Sequence, residues 1–218
     1  MAALMQVPIK FIWTHDAFRV GEDGATHEPV EQEAQIRLLE ELKNHAGENS
    51  MLVLRPADSA ETSVAWKMAM ENTKTPTALI LSRQNIVDLP AQNGEGYAAR
   101  YEEALGAERG GYVVKKADDA DVVLIANGSE VSTLFAADEI LAAKGIKTQI
   151  VSVPSIGLFL NQSKDYRNSV IPEGVRRFGL TAGLPSTLLK LIPEGTIFGL
   201  DHFGFSAPYG VLDEKFGF

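Results

Sequence analysis

The densest group of ionisable side chains lies in THDAFRVGEDGATHEPVE (14–31), which holds His15, Asp16, Glu22, Asp23, His27, Glu28 and Glu31. Imidazoles exchange protons near neutral pH, and carboxylates accept hydrogen bonds from hydroxyl groups, so the stretch has the parts of a polar substrate site. Gly21 and Gly24 let the backbone turn sharply or approach a ligand. Pro29 suits the first turn of a helix, which puts Glu28 at the N-cap position and His27 just outside it. A helix N-terminus favours anions and developing negative charge. Two other readings stand beside the substrate site: a solvated loop, and a metal site using His15, Asp23 and His27. HEPVE lacks the HExxH spacing of a zinc helix, and Pro29 breaks the register such ligands need. No metal ligand is therefore assigned, and the substrate site fits best.

The surrounding elements place this loop at the end of a buried strand. Val7 to Trp13 is a short β-rich apolar run. Pro29 to about Lys43 has helical spacing, with Val30, Ala34, Leu38 and Leu42 on one face. Met51–Leu54, a helix over Ala60–Met70 with Trp66 packed on the sheet, and ALILS (78–82) continue the alternation. This order predicts a parallel sheet covered by helices, and open sheets of that kind bind ligands at their carboxyl edge. Residues 86–110 are rich in glycine, alanine and glutamate and read as a linker with one short helix around Ala98–Leu105. A second α/β unit follows: strands at Tyr112–Lys115 and Asp121–Ile125, a turn at Asn127-Gly128-Ser129 with Ser129 as N-cap, and a helix from Glu130 to Lys144 closed by Gly145. Strands at Lys147–Val153, Val175–Leu180 and Thr196–Leu200 complete it. The fold class expected is α/β: two parallel-sheet, three-layer α/β/α units joined by a linker. The first is expected to be incomplete at its N-terminus, because Ala2–Leu4 reads as the last turn of a helix that begins earlier. The far end, DEKFGF, is expected to stop without a closing element.

Composition narrows the function classes. The 218 residues are 45% hydrophobic, enough for a real core in one large or two modest domains. A net charge of −9, from 29 acids and 20 bases, argues against nucleic acid and anionic membrane as partners. No apolar run approaches the roughly 18 residues of a membrane span. The start has no signal-peptide pattern. The absence of cysteine excludes disulfides and thiol chemistry and fits a cytoplasmic location.

WTHDAFRVGEDGATHEPVEQ resembles the transketolase signature, with its THD triplet, G-E-D-G turn, following T-H and proline-led helix. RPADSAETSVAWKMAMENTKTPTALILSRQN, GGYVV, VVLIANGSEV, VSVPS and FGFSAP keep step with the same family along essentially the whole chain. The resemblance implies a partial thiamine pyrimidine-binding (central) domain at 1–85, a linker at 86–110 and the family's C-terminal domain at 111–218. It implies transfer of a two-carbon ketol unit from a ketose phosphate to an aldose phosphate, with thiamine diphosphate and magnesium (or calcium) as cofactors. The assembly implied is a homodimer of the full-length protein, with sites between subunits. Residue by residue, His27 matches the histidine beside the reacting carbons, Asp23 the acid that reads a sugar hydroxyl, and His15 the histidine near the sugar phosphate.

Arg83, which could equally make a domain-interface ion pair, becomes a phosphate anchor by the same resemblance, suited by its fork of donors. Arg55 is read as structural, His45 and His202 as surface or packing residues. Arg19 and Ala25 depart from the usual pattern, and Arg19 adds positive charge expected near the sugar. The G-D-G and asparagine pattern that holds the cofactor's metal is missing, so the cofactor-binding residues stay unknown and the chain is expected to be inactive alone. Dihydroxyacetone synthase and 1-deoxyxylulose-5-phosphate synthase are related rivals. A non-catalytic assembly or regulatory module, or a subunit of a split thiamine-dependent enzyme, is the alternative from another class.

Overall fold

The computed structural model describes residues 1–193 and 195–218. A short helix α1 (Ala2–Met5) leads into strand β1 (Lys10–Trp13), which ends at the polar loop. Two single 3₁₀ turns, Phe18–Val20 and Ala25–His27, shape that loop before helix α2 (Gln32–Glu41). Strand β2 (Leu52–Leu54), helix α3 (Ser59–Glu71) and strand β3 (Thr77–Ile80) close a three-stranded parallel sheet in the order β1-β3-β2. The register aligns Trp13 with Ile80 and Leu54 with Leu79. The chain therefore leaves all three strands at one edge, and leaves β1 and β3 at the same level.

Helix α3 starts where its sequence says it should. The Asp58 side chain accepts the Glu61 backbone N–H at 2.8 Å, and the Glu61 carboxylate accepts the Ala57 N–H at 2.8 Å. These bonds satisfy amide donors that a helix start leaves open. Trp66 on this helix is 37% exposed rather than packed under the sheet.

Helix α4 (Gly96–Ala104) and a 3₁₀ segment (Leu105–Arg109) occupy the stretch with linker-like composition. Arg100 on α4 is buried, donating to Asp58 at 2.7 Å and to the Tyr112 hydroxyl at 2.7 Å, and that hydroxyl donates to Glu61 at 2.7 Å. Leu89, Ala104 and Ala107 from this stretch share a core cluster with Ala60 and Val64 before it and Leu124 and Leu134 after it.

The second unit contains strands β4 (Tyr112–Lys115), β5 (Val122–Ala126), β6 (Thr148–Ser152), β7 (Arg176–Leu180) and β8 (Thr196–Phe198), in the order β4-β6-β5-β7-β8. Helices α5 (Glu130–Ala143), α6 (Ile156–Leu160), α7 (Lys164–Val170) and α8 (Tyr209–Phe216) accompany it. The sheet is mixed and not wholly parallel, because β4 enters antiparallel to β6 at its edge. Gly145 closes α5 with φ of 78°, a left-handed conformation that glycine adopts freely.

Four local expectations are corrected. The helix expected from Pro29 begins at Gln32 with Glu31 at its N-cap, so Glu28 caps nothing. Its inner face is also different: Leu38 and Leu42 are exposed, while Glu33, Arg37 and Glu40 are buried. Charges at this i, i+4 and i+3 spacing pair along the helix. Arg37 donates to Glu33 at 2.7 Å and to Glu40 at 3.0 Å, so the charges of this face enter the protein hydrogen-bonded to one another. Ser129 sits at the N-cap of α5 without a capping bond; its hydroxyl donates to Glu130 at 2.9 Å instead. The far end does have a closing element, since DEKFGF forms the end of α8, and Phe216 and Phe218 pack edge-on against Phe18.

Candidate functional site

All four residues singled out as site residues lie beyond the carboxyl ends of β1 and β3. His15 follows β1 by two positions, and its Nδ1 is 3.1 Å from the Thr14 hydroxyl. His27 closes the second 3₁₀ turn, with Nδ1 3.2 Å from the Thr26 hydroxyl. Either tautomer serves each pair, so each imidazole is oriented by its neighbouring threonine while its other nitrogen stays available. Both histidines line one open cleft of about 810 Å³, together with Trp13, Pro29, Gln32 and Phe203. His27 is exposed and His15 half-buried.

Asp23 and Arg83 form a second pair. Arg83 follows β3, and its Nε lies 3.8 Å from the Asp23 carboxylate, with both side chains about half exposed. The fold thus brings His15 to His27 and Asp23 to Arg83, but the second pair does not line the histidine cleft. A phosphate and a polyol can be gripped by such a set: guanidinium for the anion, carboxylate for a hydroxyl, and imidazoles where protons move.

Glycines shape the loop. Gly21 has φ of 96° and Gly24 of 90°, conformations strained for any other residue. The segment 202–208 of the second unit clasps the loop from outside. Ser206 donates to the Glu22 carbonyl at 2.9 Å, and Phe203 reaches the cleft. Arg19 does not face the sugar side as expected. It donates to Asp213 of α8 at 2.7 Å, and its guanidinium lies 5.6 Å from the Phe218 ring.

Glu28 is the residue that sequence reasoning misplaced most. It is 4% exposed, and neither carboxylate oxygen has a well-formed hydrogen bond among the described residues. Gly204 lies so close that a Cβ there would sit 1.9 Å from a Glu28 oxygen. Burial pushes this carboxyl above its ordinary value, and the Phe205 backbone amide offsets only part of that. The H-E-P string gave no sign of it, because the cover comes from residues far along the chain.

Behind the loop lies a buried ionic cluster. Arg55, at the end of β2, is 1% exposed. It donates to Asp16 at 2.7 Å and to both oxygens of Glu130, the Nη2 bond measuring 3.1 Å. Glu33 stands 3.7 Å from it. Burial lowers the tendency of the guanidinium to hold its proton, but Glu130, Glu33 and Asp16 outweigh burial and hold it well above its usual range. For Glu33 burial acts upward, yet Arg37 and Arg55 together hold the carboxyl below its usual range. Glu40 is pushed up by burial, partly offset by Arg37 and Ser155.

Whether these residues suit a thiamine diphosphate can be judged from the donors present. No lysine or arginine lines the histidine cleft, and two acids, Glu28 and Glu31, do. Among the described residues no group of three or more His, Asp or Glu is arranged to hold a metal. The chain's own residues therefore do not fit the diphosphate–metal end of that cofactor. No helix among the described residues is long and apolar enough to cross a membrane.

Comparison with known proteins gives consistent matches. Residues 1–87 match the family model "Transketolase, pyrimidine binding domain", and residues 110–218 match "Transketolase-like TK C-terminal domain". The chain is 40% identical over 222 residues to the transketolase of Bacillus subtilis, covering 100% of this chain and 31% of that protein. It is 42% identical over 222 residues to transketolase 1 of Escherichia coli, with the same coverage. Among solved structures, the transketolase of Pichia stipitis in complex with sedoheptulose-7-phosphate superposes with a TM-score of 0.83 at 36% identity, over 99% of this chain and 29% of that one. The chain thus spans about a third of the length of the relatives it matches.

Proposed function

This chain belongs to the transketolase family, and from that premise we propose that it supplies the sugar-contacting wall of a ketol-transfer site. The observation that carries the reading is the pairing of His15 and His27 across one cleft, beside the Asp23–Arg83 pair at the same sheet edge. His27 donates a hydrogen bond to the reacting carbonyl or the adjoining hydroxyl and moves a proton there. Asp23 accepts from a sugar hydroxyl. His15 and Arg83 hold the phosphate end, where a planar fork of donors gives both charge and direction. Ketose and aldose phosphates are the substrates proposed.

Thiamine diphosphate with magnesium or calcium is the cofactor the family implies. Its diphosphate–metal end is assigned to segments outside these 218 residues, and no step is derived through it. The domain division proposed is 1–85, 86–110 and 111–218. A homodimer of the full-length protein is the assembly proposed. Its support is the apolar surface beside the cleft: Ile12 is 46% and Phe203 76% exposed, and the outer edge of β1 pairs with no strand among the described residues. A cytoplasmic setting fits the cysteine-free composition, and the pentose phosphate pathway is the context that the family implies.

The test is a chimera in which this chain replaces the matching part of E. coli transketolase 1. Ketol transfer by the chimera, reduced about 100-fold or more in kcat by His27→Ala, is the expected result. A folded, cofactor-loaded chimera that transfers nothing, or that ignores His27→Ala, overturns the reading and favours a non-catalytic module.

A further inference from the structure

Three strand ends meet at one buried carboxylate that belongs to no proposed ligand contact. Asp16 is 5% exposed. Its Oδ2 accepts from Arg55 Nη2 at 2.7 Å, at the end of β2, and from the Ser82 hydroxyl at 3.2 Å, at the end of β3. Asp16 itself continues β1. His15 precedes Asp16 in the chain, and Arg83 follows Ser82. One carboxylate thereby ties together the backbone positions from which both phosphate-end side chains project.

Arg55, in turn, is held from the second unit. Besides the two oxygens of Glu130, it donates to the Asn127 carbonyl at 3.2 Å and to the Asn127 side chain at 2.9 Å. The approach is close enough that a Cβ on Gly128, whose φ is +61°, would lie 2.6 Å from the centre of the guanidinium. The Gly128 N–H also donates to the Arg55 carbonyl at 3.0 Å. The turn between β5 and α5 therefore fixes Arg55 in both backbone and side chain. A fork of donors shared between Asp16 and Glu130 transmits position, because shifting either carboxylate moves the plane that the other must meet.

We propose that Asp16 is a positioning residue for His15 and Arg83, and that the second unit sets it through the buried relay Glu130–Arg55–Asp16–Ser82. The relay gives the second unit a part in substrate binding although Glu130 is fully buried. The proposal rests on the sugar-contact reading only in taking His15 and Arg83 as the groups that bind phosphate.

The experiment uses the isotope-labelled 218-residue chain and its Glu130→Gln and Ser82→Ala variants, with ribose 5-phosphate as the probe. Imidazole resonances of His15, His27, His45 and His202 and the Arg83 Nε–H resonance are recorded first without ligand. The expected result is that both variants shift the His15 and Arg83 signals and leave those of His27 and His45 in place. A purely structural role would either leave all of them fixed or move all of them together, and either pattern in a folded variant overturns the proposal. Binding of ribose 5-phosphate is expected to weaken about fivefold, the equivalent of one net hydrogen bond. If Glu130→Gln fails to fold, Asn127→Ala, which removes the 2.9 Å side-chain bond from the second unit to Arg55, carries the same two outcomes. Failure of the unmodified chain to bind ribose 5-phosphate counts against the sugar-contact reading, while the ligand-free resonances still decide the relay.

Discussion

The polar loop and the ionic cluster beneath it use the same residue types for opposite ends. In the loop, Asp23, His27 and Arg83 are exposed, and the one ion pair among them is long, at 3.8 Å. In the cluster, Asp16, Glu33, Glu40, Glu130, Arg37 and Arg55 are all nine-tenths or more buried, and the Arg37–Glu33, Arg55–Asp16 and Arg55 Nη2–Glu130 bonds measure 2.7, 2.7 and 3.1 Å. Exposed charges keep hydrogen-bonding capacity for a ligand. Buried ones use most of theirs internally, because an unmatched charge in low dielectric is costly, and of this cluster's fully buried side-chain atoms only Asp16 Oδ1, Arg37 Nη2 and Arg55 Nε lack a partner among the described residues. On the proposed reading, a binding charge differs from a fixing charge in how much of its hydrogen-bonding capacity is already taken.

Breaking the cluster should cost most. Arg55→Ala leaves Asp16 and Glu130 buried without their cation, and about 3–5 kcal/mol of stability should be lost, read from urea unfolding. Phe18→Ala should cost about 3 kcal/mol, since Phe18 is fully buried between Phe216 and Phe218, and its loss frees the loop from α8.

Glu28→Gln sharpens the comparison from the other side. A neutral amide is less costly to bury than a carboxylate with no well-formed bond, so this variant should be more stable by about 1 kcal/mol at neutral pH. The sign follows from the raised folded value. Glu28 lowers stability once pH rises through that value, and the gain from glutamine should vanish as pH falls below the ordinary 4.5, where both states are protonated. Lys190→Ala, which breaks an exposed pair with Glu41, should leave the unfolding midpoint unchanged.

Much of this contrast could be read in the sequence, but unevenly. The strands were legible because short β-branched runs between turns have few other stable fates, and Gly145 marked its helix end by chemistry that only a left-handed residue satisfies. The THD and G-E-D-G strings pointed to the loop that the structure places beyond the carboxyl end of β1, and the site proposed here rests on them. The inner face of α2 was not legible: its apolar stripe at Leu38 and Leu42 points outward, and its charged face is stabilised by Arg55 and Ser155, distant in sequence. Arg19 misled for the same reason, since its partner Asp213 lies at the other end of the chain. Periodicity reports what one helix offers. It does not report which remote charge arrives to neutralise it.

The central claim is that the exposed set grips a phosphorylated sugar, Arg83 at the phosphate and His27 at the reacting carbons. The most direct measurement compares Arg83→Ala and His27→Ala in the chimera, using a ketose phosphate and the same ketose without phosphate. The account predicts that Arg83→Ala raises KM about tenfold for the phosphorylated substrate alone, the loss of a charge-assisted hydrogen bond, while His27→Ala lowers kcat for both. An Arg83→Ala effect of equal size on both substrates would contradict it.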